Sequence, residues 1–480
     1  MTGPVSCDVI VVGTGFGGLC AASRIKRMGR DVAVLEKADG VGGTWRDNTY
    51  PGAECDVPSA LYSYSFAPNP TWDFKWAKQP QILAYLERFA RDEGLTPRIR
   101  FGQAVQRAAW DEAARRWRVE TRDAAYEAQH LVLALGQLHH PMVPEIAGHH
   151  AYRGCAFHSA RWDHGFDPAG KRIGVVGSAA SAVQLIPELA GRAERLTVYQ
   201  RSPNWVLPKG DRPYTLAEKA VGRRVPALGR AYRAALWASG EYGLWPMIRG
   251  RRLHARLGEA LCKRAIARHV RDPQMRAALV PDYPIGAKRI LLSDRFYPAL
   301  ARPDVDLVTD PIERMTPGGV VAGGTERAHD AVVYATGFRT NPFVPDIQVT
   351  GQGGRTLRQH WADGAHAYLG VQTAGFPNLF LLYGPNTNTG HTSIVYKLEA
   401  QTALTTQLIR AAGEGTVAVR ADAEAAFGDE MQARLAGLAW SKVSASWYQD
   451  RGRVTNNWPG GSREYRQRCE AVRWGDFETV

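Results

Sequence analysis

Glycines are concentrated in a short turn near the start of the chain, in the sequence Gly-Thr-Gly-Phe-Gly-Gly at residues 13–18. Gly13 permits a sharp turn, Gly15 lets the backbone approach a pyrophosphate, and Gly18 lets a helix pack closely on a strand. Amides at the start of that helix can donate to phosphate oxygens. Glu36 lies 18 residues after Gly18, where a carboxylate can accept both hydroxyls of an adenosine ribose. This spacing predicts a dinucleotide site; the alternative is a glycine-rich turn without a ligand.

A second turn of this kind lies near the middle of the chain, with the sequence Gly-Ser-Ala-Ala-Ser-Ala at residues 177–182. Alanine replaces two of the three glycines of the motif. At the second position this leaves less room between the backbone and a pyrophosphate. The residues of this turn that we assign to a second dinucleotide site are Gly177, Ser178, Ala179 and Ser181.

The strand after the second turn ends in Gln-Arg-Ser at residues 200–202, without an acidic residue. Nothing there would repel a ribose 2′-phosphate, and the guanidinium of Arg201, next to Ser202, can bind it by charge-assisted hydrogen bonds. This favours NADPH over NADH. The alternative for Arg201 is an exposed cation at a strand end.

Both turns need strands and helices to position them. Residues 7–12, 19–28 and 31–35 have the pattern of a strand, a helix and a second strand, and residues 172–176 and 195–200 have the pattern of strands on either side of the second turn. One unit ends in an acid and the other in a base, so two different dinucleotides are expected, and FAD with NADPH fits. We predict an α/β fold with two Rossmann-like dinucleotide-binding domains and a helical insert.

The order of these patterns predicts a discontinuous FAD domain. Residues 131–136 and 332–338 resemble the two strand-and-turn segments at which the chain leaves and re-enters that domain. We expect the FAD domain to consist of residues 1–150 and 335–480, which include a C-terminal loop. Residues 151–334 would form the NADPH domain, with the helical insert at about 205–285.

Composition excludes several classes of protein. Of the 480 residues, 45% are hydrophobic and 22% charged, which is ordinary for a globular enzyme. The six cysteines include no Cys-x-x-Cys pair, so neither a metal site nor a dithiol redox centre is expected. No run reaches the roughly 18–20 apolar residues of a membrane span. The apolar run at residues 9–12 leads into glycines and not into a cleavage site, so we expect a cytoplasmic protein.

The net charge of +13 comes mostly from one segment, because residues 211–272 hold 14 Lys or Arg against 5 Asp or Glu. This segment has the pattern of amphipathic helices, with Leu253, Leu257 and Leu261 at helical spacing between arginines. Solvated helix faces are the expected explanation, and a nucleic-acid partner is not. Weak contact with a membrane surface, or electrostatic guidance of an anionic cofactor, stays open. The sequence leaves the oligomeric state open.

A segment between the two turns resembles a family signature, Phe-x-Gly-x-x-x-His-x-x-x-Trp followed by Pro or Asp. Gly154, His158, Trp162 and Asp163 match it, and Tyr152 conservatively replaces Phe. The chain therefore resembles the class B flavoprotein monooxygenases, and its Trp-Asp ending resembles the Baeyer–Villiger monooxygenases among them. The resemblance implies that His158 is a functional residue that shapes the linker between the domains and is not the acid or base.

Further segments resemble the family in the same order along the chain. Residues 42–45 and 50–56 resemble the stretch along the flavin, Tyr62 matches a tyrosine that touches FAD, and residues 384–387 and 390–393 resemble a glycine-rich run near the flavin ring. The flavin contacts that this resemblance implies are those of Gly43, Thr44, Trp45, Asp56 and Tyr62.

The segment Gly-Ala-Lys-Arg at residues 286–289 resembles one in which the lysine binds the NADPH phosphate and the arginine serves catalysis. By this resemblance Lys288 binds NADPH and Arg289 is catalytic. Trp447 resembles a tryptophan of a mobile loop that closes over NADP. Glu54 departs from the family, since many relatives have Arg there.

The resemblance implies a Baeyer–Villiger oxidation, in which one atom of O₂ is inserted next to a ketone carbonyl through a C4a-peroxyflavin. The attacking peroxide must be anionic, and an anion in a water-poor pocket needs a fixed cation beside it. Arg289 is the candidate, since a guanidinium stays charged when desolvated, and Asp56 would orient it. The alternative for this pair is an ordinary salt bridge.

Two other functions stay open at this point. The first is a flavin-containing monooxygenase that oxidises nitrogen or sulfur, for which a neutral hydroperoxide suffices. The second is a two-dinucleotide reductase or a non-catalytic flavin-binding protein. The substrate would be a small-molecule ketone, whose identity and size the sequence does not give.

Overall fold

The computed structural model describes residues 4–442, 448–450 and 452–480. The strands, in chain order, are β1 (Val5–Val12), β2 (Val32–Leu35), β3 (Ile99–Arg100), β4 (Val105–Asp111), β5 (Arg116–Thr121), β6 (Ala125–Leu133), β7 (Cys155–His158), β8 (Arg172–Val176), β9 (Arg195–Tyr199), β10 (Val206–Leu207), β11 (Leu291–Leu292), β12 (Val305–Val308), β13 (Ile312–Thr316), β14 (Gly319–Ala322), β15 (Thr325–Ala328), β16 (Ala331–Tyr334), β17 (Gln348–Thr350), β18 (Leu379–Leu381), β19 (Val417–Val419), β20 (Gln449–Asp450), β21 (Arg453–Val454) and β22 (Phe477–Thr479).

The α-helices are α1 (Phe16–Arg27), α2 (Thr44–Asp47), α3 (Gln79–Asp92), α4 (Ala180–Leu189), α5 (Leu216–Arg224), α6 (Pro226–Ser239), α7 (Trp245–Ile248), α8 (Arg252–His269), α9 (Pro273–Ala278), α10 (Phe296–Leu300), α11 (Leu357–His360), α12 (Ile394–Ala412), α13 (Ala421–Ala436) and α14 (Ser462–Glu470). A π-helical segment, Gly240–Leu244, joins α6 to α7.

The largest sheet of the described residues has the strand order β17-β4-β5-β6-β1-β2-β3, with β18 also paired to β6. Strand β1 runs parallel to β2 and to β6, as a dinucleotide-binding unit requires. Strands β17 and β18 come from the last third of the chain, so that part of the chain returns to the first sheet. The sheet's core lies on both faces, because Val9 and Val11 of β1 pack in the cluster of α1 and α12, whereas Ile10 and Val12 pack with Trp117.

A second sheet has the order β12-β9-β8-β16-β7 and is parallel throughout. Helix α4 follows β8 and packs its buried side chains against this sheet. Parallel strands around β1 in the first sheet and around β8 in the second, each followed by a glycine turn and a helix, confirm the predicted α/β fold with Rossmann-like units. The first sheet is mixed, since β5 pairs antiparallel with β4 and β6. The domain boundaries proposed from the sequence stay predictions.

Helices α5 to α9 form the helical part between β10 and β11. Helix α8 has its arginines on the outside as expected, but Leu253, Leu257 and Leu261 are also 68%, 55% and 52% exposed. The helix packs inward through Gly258, Cys262 and Ile266 of the same helix instead. The leucine stripe predicted from the sequence is therefore exposed, and the buried face of the helix is the one that carries Gly258, Cys262 and Ile266. No described helix combines the length and apolar character needed to cross a membrane.

The π-helical segment is tied to the end of the chain. The buried carboxylate of Glu241 accepts hydrogen bonds from the backbone N–H of Ser462, at 2.9 Å, and of Arg463, at 3.4 Å. These are amides at the start of α14, whose own N-cap, Gly461, has no side chain to bond them. Glu241 thus caps a helix more than 200 residues away.

Candidate functional site

The first glycine turn has the geometry that its sequence predicts. Gly13 has φ +103°, and a Cβ at this position would lie 2.6 Å from the carbonyl oxygen of Ala134. A Cβ on Gly18 would lie only 1.8 Å from the carbonyl oxygen of Gly13. A larger residue at either position would therefore force β1, α1 and the turn apart.

Glu36 lies just after β2, with its carboxylate held in place by the first turn. Its Oε2 accepts hydrogen bonds from the N–H and hydroxyl of Thr14, at 2.8 and 2.6 Å, and its Oε1 accepts one from the N–H of Ala38, at 2.8 Å. These bonds fix a buried acid beside the phosphate turn, and each oxygen can accept a further bond from a ribose hydroxyl.

Two helices start at this site without a capping side chain among the described residues. Helix α1 has Gly15 as its N-cap and α4 has Ala179, and neither N-cap makes a side-chain hydrogen bond. Neither helix has an acidic residue in its first turn. Both therefore present uncapped amides and the positive end of a helix dipole to a phosphate.

Cations gather beside the second turn. Gly177 has φ +114°, and Ser178 Oγ donates to the carbonyl of Ser202 at 3.0 Å. Lys288 Nζ donates to the hydroxyl of Ser202 at 3.1 Å. Burial, and then the neighbouring charge of Arg201, lower the pKa of Lys288. Lys288 and Arg201 repel one another, and a bound phosphate dianion would remove this repulsion.

Arg289 and Asp56 form a two-bond ion pair. Arg289 Nε donates to Asp56 Oδ2 at 2.7 Å, and Nη2 donates to Oδ1 at 2.8 Å. Asp56 raises the pKa of Arg289 further above its usual range. Burial alone would raise the pKa of Asp56, but the charge and hydrogen bonds of Arg289 outweigh it and the pKa is lowered. Both groups are therefore charged at neutral pH, and the Nη1 group takes no part in the pair.

Glu54 lies two residues before this aspartate and holds two lysines. Its carboxylate forms ion pairs with Lys209, whose side chain is 3% exposed, and with Lys78. Lys78 also pairs with Asp211 at 3.0 Å. The negative charge of Glu54 is thus neutralised by lysines from other segments.

Aromatic side chains cluster beside the first glycine turn. Trp45 Nε1 donates to the hydroxyl of Tyr62 at 3.0 Å, and the Tyr62 ring meets Phe16 edge-on, with centroids 4.9 Å apart. Gly43, with φ +54°, comes so close to the first turn that a Cβ would lie 3.0 Å from Gly15 Cα. Thr44 Oγ1 donates to the carbonyl of Leu138 at 3.2 Å.

Sequence reasoning missed two tyrosines near Arg289. Tyr448 is buried, Tyr383 is partly buried, and both interact electrostatically with Arg289. Burial raises the pKa of Tyr383 to about 12, and its hydroxyl donates to Asn388 Oδ1 at 2.8 Å. Tyr383 has φ +61°, which is uncommon for a residue with a Cβ. The Gly-Pro-Asn that follows it was the available signal of an unusual backbone.

His158 is the last residue of β7 and does not take part in the groups described so far. Its Nδ1 accepts a hydrogen bond from the N–H of Ala160 at 3.0 Å, and its ring meets Phe338 edge-on, with centroids 5.8 Å apart. Burial lowers its pKa. His158 thus joins the signature segment to the turn after β16. Trp447 lies outside the described residues.

One cavity of about 1270 Å³ connects these groups. The predicted residues that line it are Gly13, Gly15, Glu36, Gly43, Thr44, Trp45, Asp56, Tyr62, Gly177, Ser178, Ala179, Ser181, Arg201, Ser202, Lys288 and Arg289. Gly18 and His158 are not in its wall, and Gly18 instead occupies the helix–strand contact. The volume exceeds that of ordinary single-ligand pockets, and two phosphate turns at its wall fit two dinucleotides.

Comparisons with known proteins agree with this geometry. Residues 10–221 match the family model described as pyridine nucleotide-disulphide oxidoreductase. All six cysteines are free, so the chain lacks the disulfide for which that family is named. A solved structure titled as an oxidized steroid monooxygenase bound to NADP has a TM-score of 0.89 and 33% identity, and covers 99% of this chain and 100% of its own.

A structure of OTEMO in complex with FAD and NADP has a TM-score of 0.90 and 28% identity, and covers 100% of both chains. A curated relative, the Baeyer-Villiger monooxygenase of Streptomyces coelicolor (strain ATCC BAA-471 / A3(2) / M145), is 41% identical over 98% of this chain and 92% of its own length. On this likeness and on the paired dinucleotide turns, the chain belongs to the Baeyer–Villiger monooxygenase family.

Proposed function

We propose that this enzyme, an NADPH-dependent FAD monooxygenase, inserts one oxygen atom of O₂ next to a ketone carbonyl to give an ester or lactone, with Arg289 as its catalytic cation. The observation that carries this proposal is the Arg289–Asp56 pair in the wall of a cavity that two dinucleotide turns share. The FAD that this cavity would hold would supply the redox and oxygen chemistry of the reaction, with NADPH as the reductant.

In this proposal Arg289 contributes a positive charge whose orientation is fixed. Asp56 binds its Nε and Nη2, so one rotamer is fixed and the Nη1 edge is not used by the pair. A guanidinium held in this way can stabilise negative charge on the transferred oxygen without reorganising at the moment of reaction. Asp56 is therefore proposed as a positioning residue that also limits the net charge of the cavity.

The remaining residues bind the cofactors in this proposal. The first turn and Glu36 hold the FAD pyrophosphate and ribose, and Trp45 and Tyr62 border the flavin. The second turn holds the NADPH pyrophosphate, while Arg201, Ser202 and Lys288 hold its 2′-phosphate. Residues 1–150 and 335–480 would form the FAD domain and 151–334 the NADPH domain.

His158 and Trp447 have accessory roles in this proposal. His158 fixes the junction between β7 and the turn after β16. Trp447, which lies outside the described residues, is assigned to closure over NADP by the family resemblance alone. The six free cysteines are consistent with a reducing, cytoplasmic location.

The test is Arg289→Ala, with Arg289→Lys beside it. We expect ester formation from a ketone panel to fall at least about 100-fold in Arg289→Ala, while the FAD absorbance spectrum stays. Arg289→Lys keeps the charge but loses the two-bond geometry, so we expect only partial activity. Arg302→Ala, a surface arginine paired with Asp304, is the control. Normal ester formation by FAD-loaded Arg289→Ala contradicts the proposal.

Heteroatom oxidation is the alternative activity. The fixed guanidinium favours the ketone reaction, because oxidation of sulfur or nitrogen needs no stabilised anion. Parallel product analysis with a ketone and a thioether separates the two: sulfoxide without ester would support the alternative.

A further inference from the structure

Two histidines and a glutamate converge at a place that the oxidation does not use. His360 ends α11, His366 follows in the next loop, and Glu424 lies in the first turn of α13. Their side chains are 9%, 31% and 3% exposed, so the cluster is buried with an opening at His366. None of the three lines the cofactor cavity.

The ligand atoms of these residues have spacings suited to a metal ion. His360 Nε2 lies 3.2 Å from Glu424 Oε2, and His366 Nε2 lies 3.8 Å from Glu424 Oε1. The three ligand atoms can all lie within 4.8 Å of one another. Tetrahedral ligands at about 2.0–2.1 Å from zinc are about 3.3 Å apart, so small side-chain shifts would complete the site.

The tautomer of His366 strengthens this argument. Its Nδ1 lies 3.0 Å from the carbonyl oxygen of Gly364, which can only accept, so Nδ1 is the donor. Its Nε2 faces the carboxylate of Glu424 at 3.8 Å, beyond hydrogen-bond distance, and a cation between the two atoms would bind both. Metal-bound histidines usually donate their other N–H in this way.

Glu424 also has the supporting hydrogen bonds of a metal ligand. It accepts bonds from the hydroxyl of Thr373 at 2.6 Å and the N–H of Ala374 at 2.9 Å. These bonds fix the carboxylate and leave lone pairs for a cation.

We propose that His360, His366 and Glu424 bind one divalent transition-metal ion, for which Zn²⁺ is the probe. Two imidazoles and a carboxylate suit zinc and its neighbours, and water at the His366 opening would be the fourth ligand. The ion would join α11 and its following loop to α13. A second group, His139, His140 and Asp346, is less suited, because Lys37 Nζ lies 3.2 Å from His139 Nδ1.

The experiment uses untagged, FAD-loaded enzyme that is stripped with a chelator and then equilibrated with Zn²⁺. We expect about one zinc per chain by elemental analysis, and a rise of the melting temperature of a few degrees at saturating zinc. His366→Gln and Glu424→Gln should weaken zinc binding at least tenfold. His140→Gln, from the second group, should bind zinc as the wild type does.

Two results would overturn the proposal: no bound zinc in the wild type, or equal zinc in wild type and His366→Gln. Since Glu424 is buried and its variant could misfold, the half-exposed His366 is the decisive position, with FAD content as the check of folding. Zinc lost only in His140→Gln would assign the metal to the other group and would also contradict the proposal.

Discussion

Two groups of charged side chains that line the cofactor cavity differ in how they are held. Arg289 is paired with Asp56, which keeps its direction fixed, whereas Lys288 donates to the hydroxyl of Ser202 and is repelled by the charge of Arg201. The first arrangement suits a charge that must stay directed while a reaction proceeds. The second suits a site that awaits an anion, because binding removes the repulsion.

Arg201→Ala tests the second arrangement. A charge-assisted hydrogen bond contributes about 1.5–3 kcal/mol, so we expect kcat/KM for NADPH to fall about 10- to 100-fold. NADH lacks the 2′-phosphate, so its kcat/KM should hardly change. Stopped-flow measurement of flavin reduction by each nucleotide checks this, with Arg302→Ala as the control. An equal fall for both nucleotides would count against a phosphate contact.

Helix α12 carries an unusual buried charge. Lys397 is fully buried, its Nζ donates to the carbonyl of Asn388 at 3.3 Å, and it lies 5.0 Å from the ring centroid of Tyr465. Burial lowers the pKa of Lys397 to about 7. Asn388 O also accepts from the N–H of Trp458, so it does not depend on the lysine. Burial of the charged lysine therefore lowers the free energy of unfolding, and the packing of the helix does not require this charge.

Lys397→Met should stabilise the enzyme, and the gain should depend on pH. Between pH 7 and the ordinary lysine value of 10.5, the unfolded chain binds a proton that the folded chain has lost, so wild-type stability rises with pH. This rise is about 1.4 kcal/mol per pH unit at most. We therefore expect the melting temperature of the variant to exceed that of the wild type by a few degrees at pH 7, and by less at pH 9.

Thermal unfolding of both proteins across pH 7–9 measures this difference. The control is Lys263→Met on the exposed face of α8, where no such difference is expected. A gap between the two curves that does not change with pH would show that Lys397 stays protonated in the folded enzyme.

At the scale of the whole molecule, neighbouring acids of one loop hold two segments that come from far along the chain. Glu54 pairs with Lys209, just after β10, and Asp56 pairs with Arg289, just before β11. Strands β10 and β11 pair with each other. The loop that carries Glu54 and Asp56 thus holds both strands of the β10–β11 ribbon, next to the catalytic candidate Arg289.

Lys209→Met should loosen this attachment. Removing one partner of a buried ion pair leaves an uncompensated acid, and we expect a loss of about 1–3 kcal/mol, since Lys78 still pairs with Glu54. Ester formed per NADPH consumed should fall, because Arg289 is less well placed. The double variant with Glu54→Gln should recover most of the stability. Denaturant unfolding of the four proteins in a double-mutant cycle measures the coupling, and additive losses would contradict it.

The two dinucleotide-binding units could be predicted from local sequence alone. The glycine turns and Glu36 lie within one strand–helix–strand stretch, so spacing alone predicts how they meet. Lys209 and Tyr383 could not be found in this way, because their approach to the site depends on how distant segments pack. Helical periodicity also misled for α8, where Gly258 and Cys262 face inward and the leucines outward. The spacing of apolar residues identifies an apolar face of a helix, but it does not show whether that face packs against the rest of the protein.

The cap that Glu241 provides for α14 matters for protein engineering. Hydrogen bonds from the start of α14 to Glu241 connect the last helix to the helical insert. A chimera that exchanges the insert therefore removes these bonds, which hold the C-terminal helix in place. Such a graft should bring its own acid at this position, or the recipient should receive Ser or Asp in place of Gly461. Substrate-scope libraries built from inserts of other family members should therefore be designed as pairs of segments.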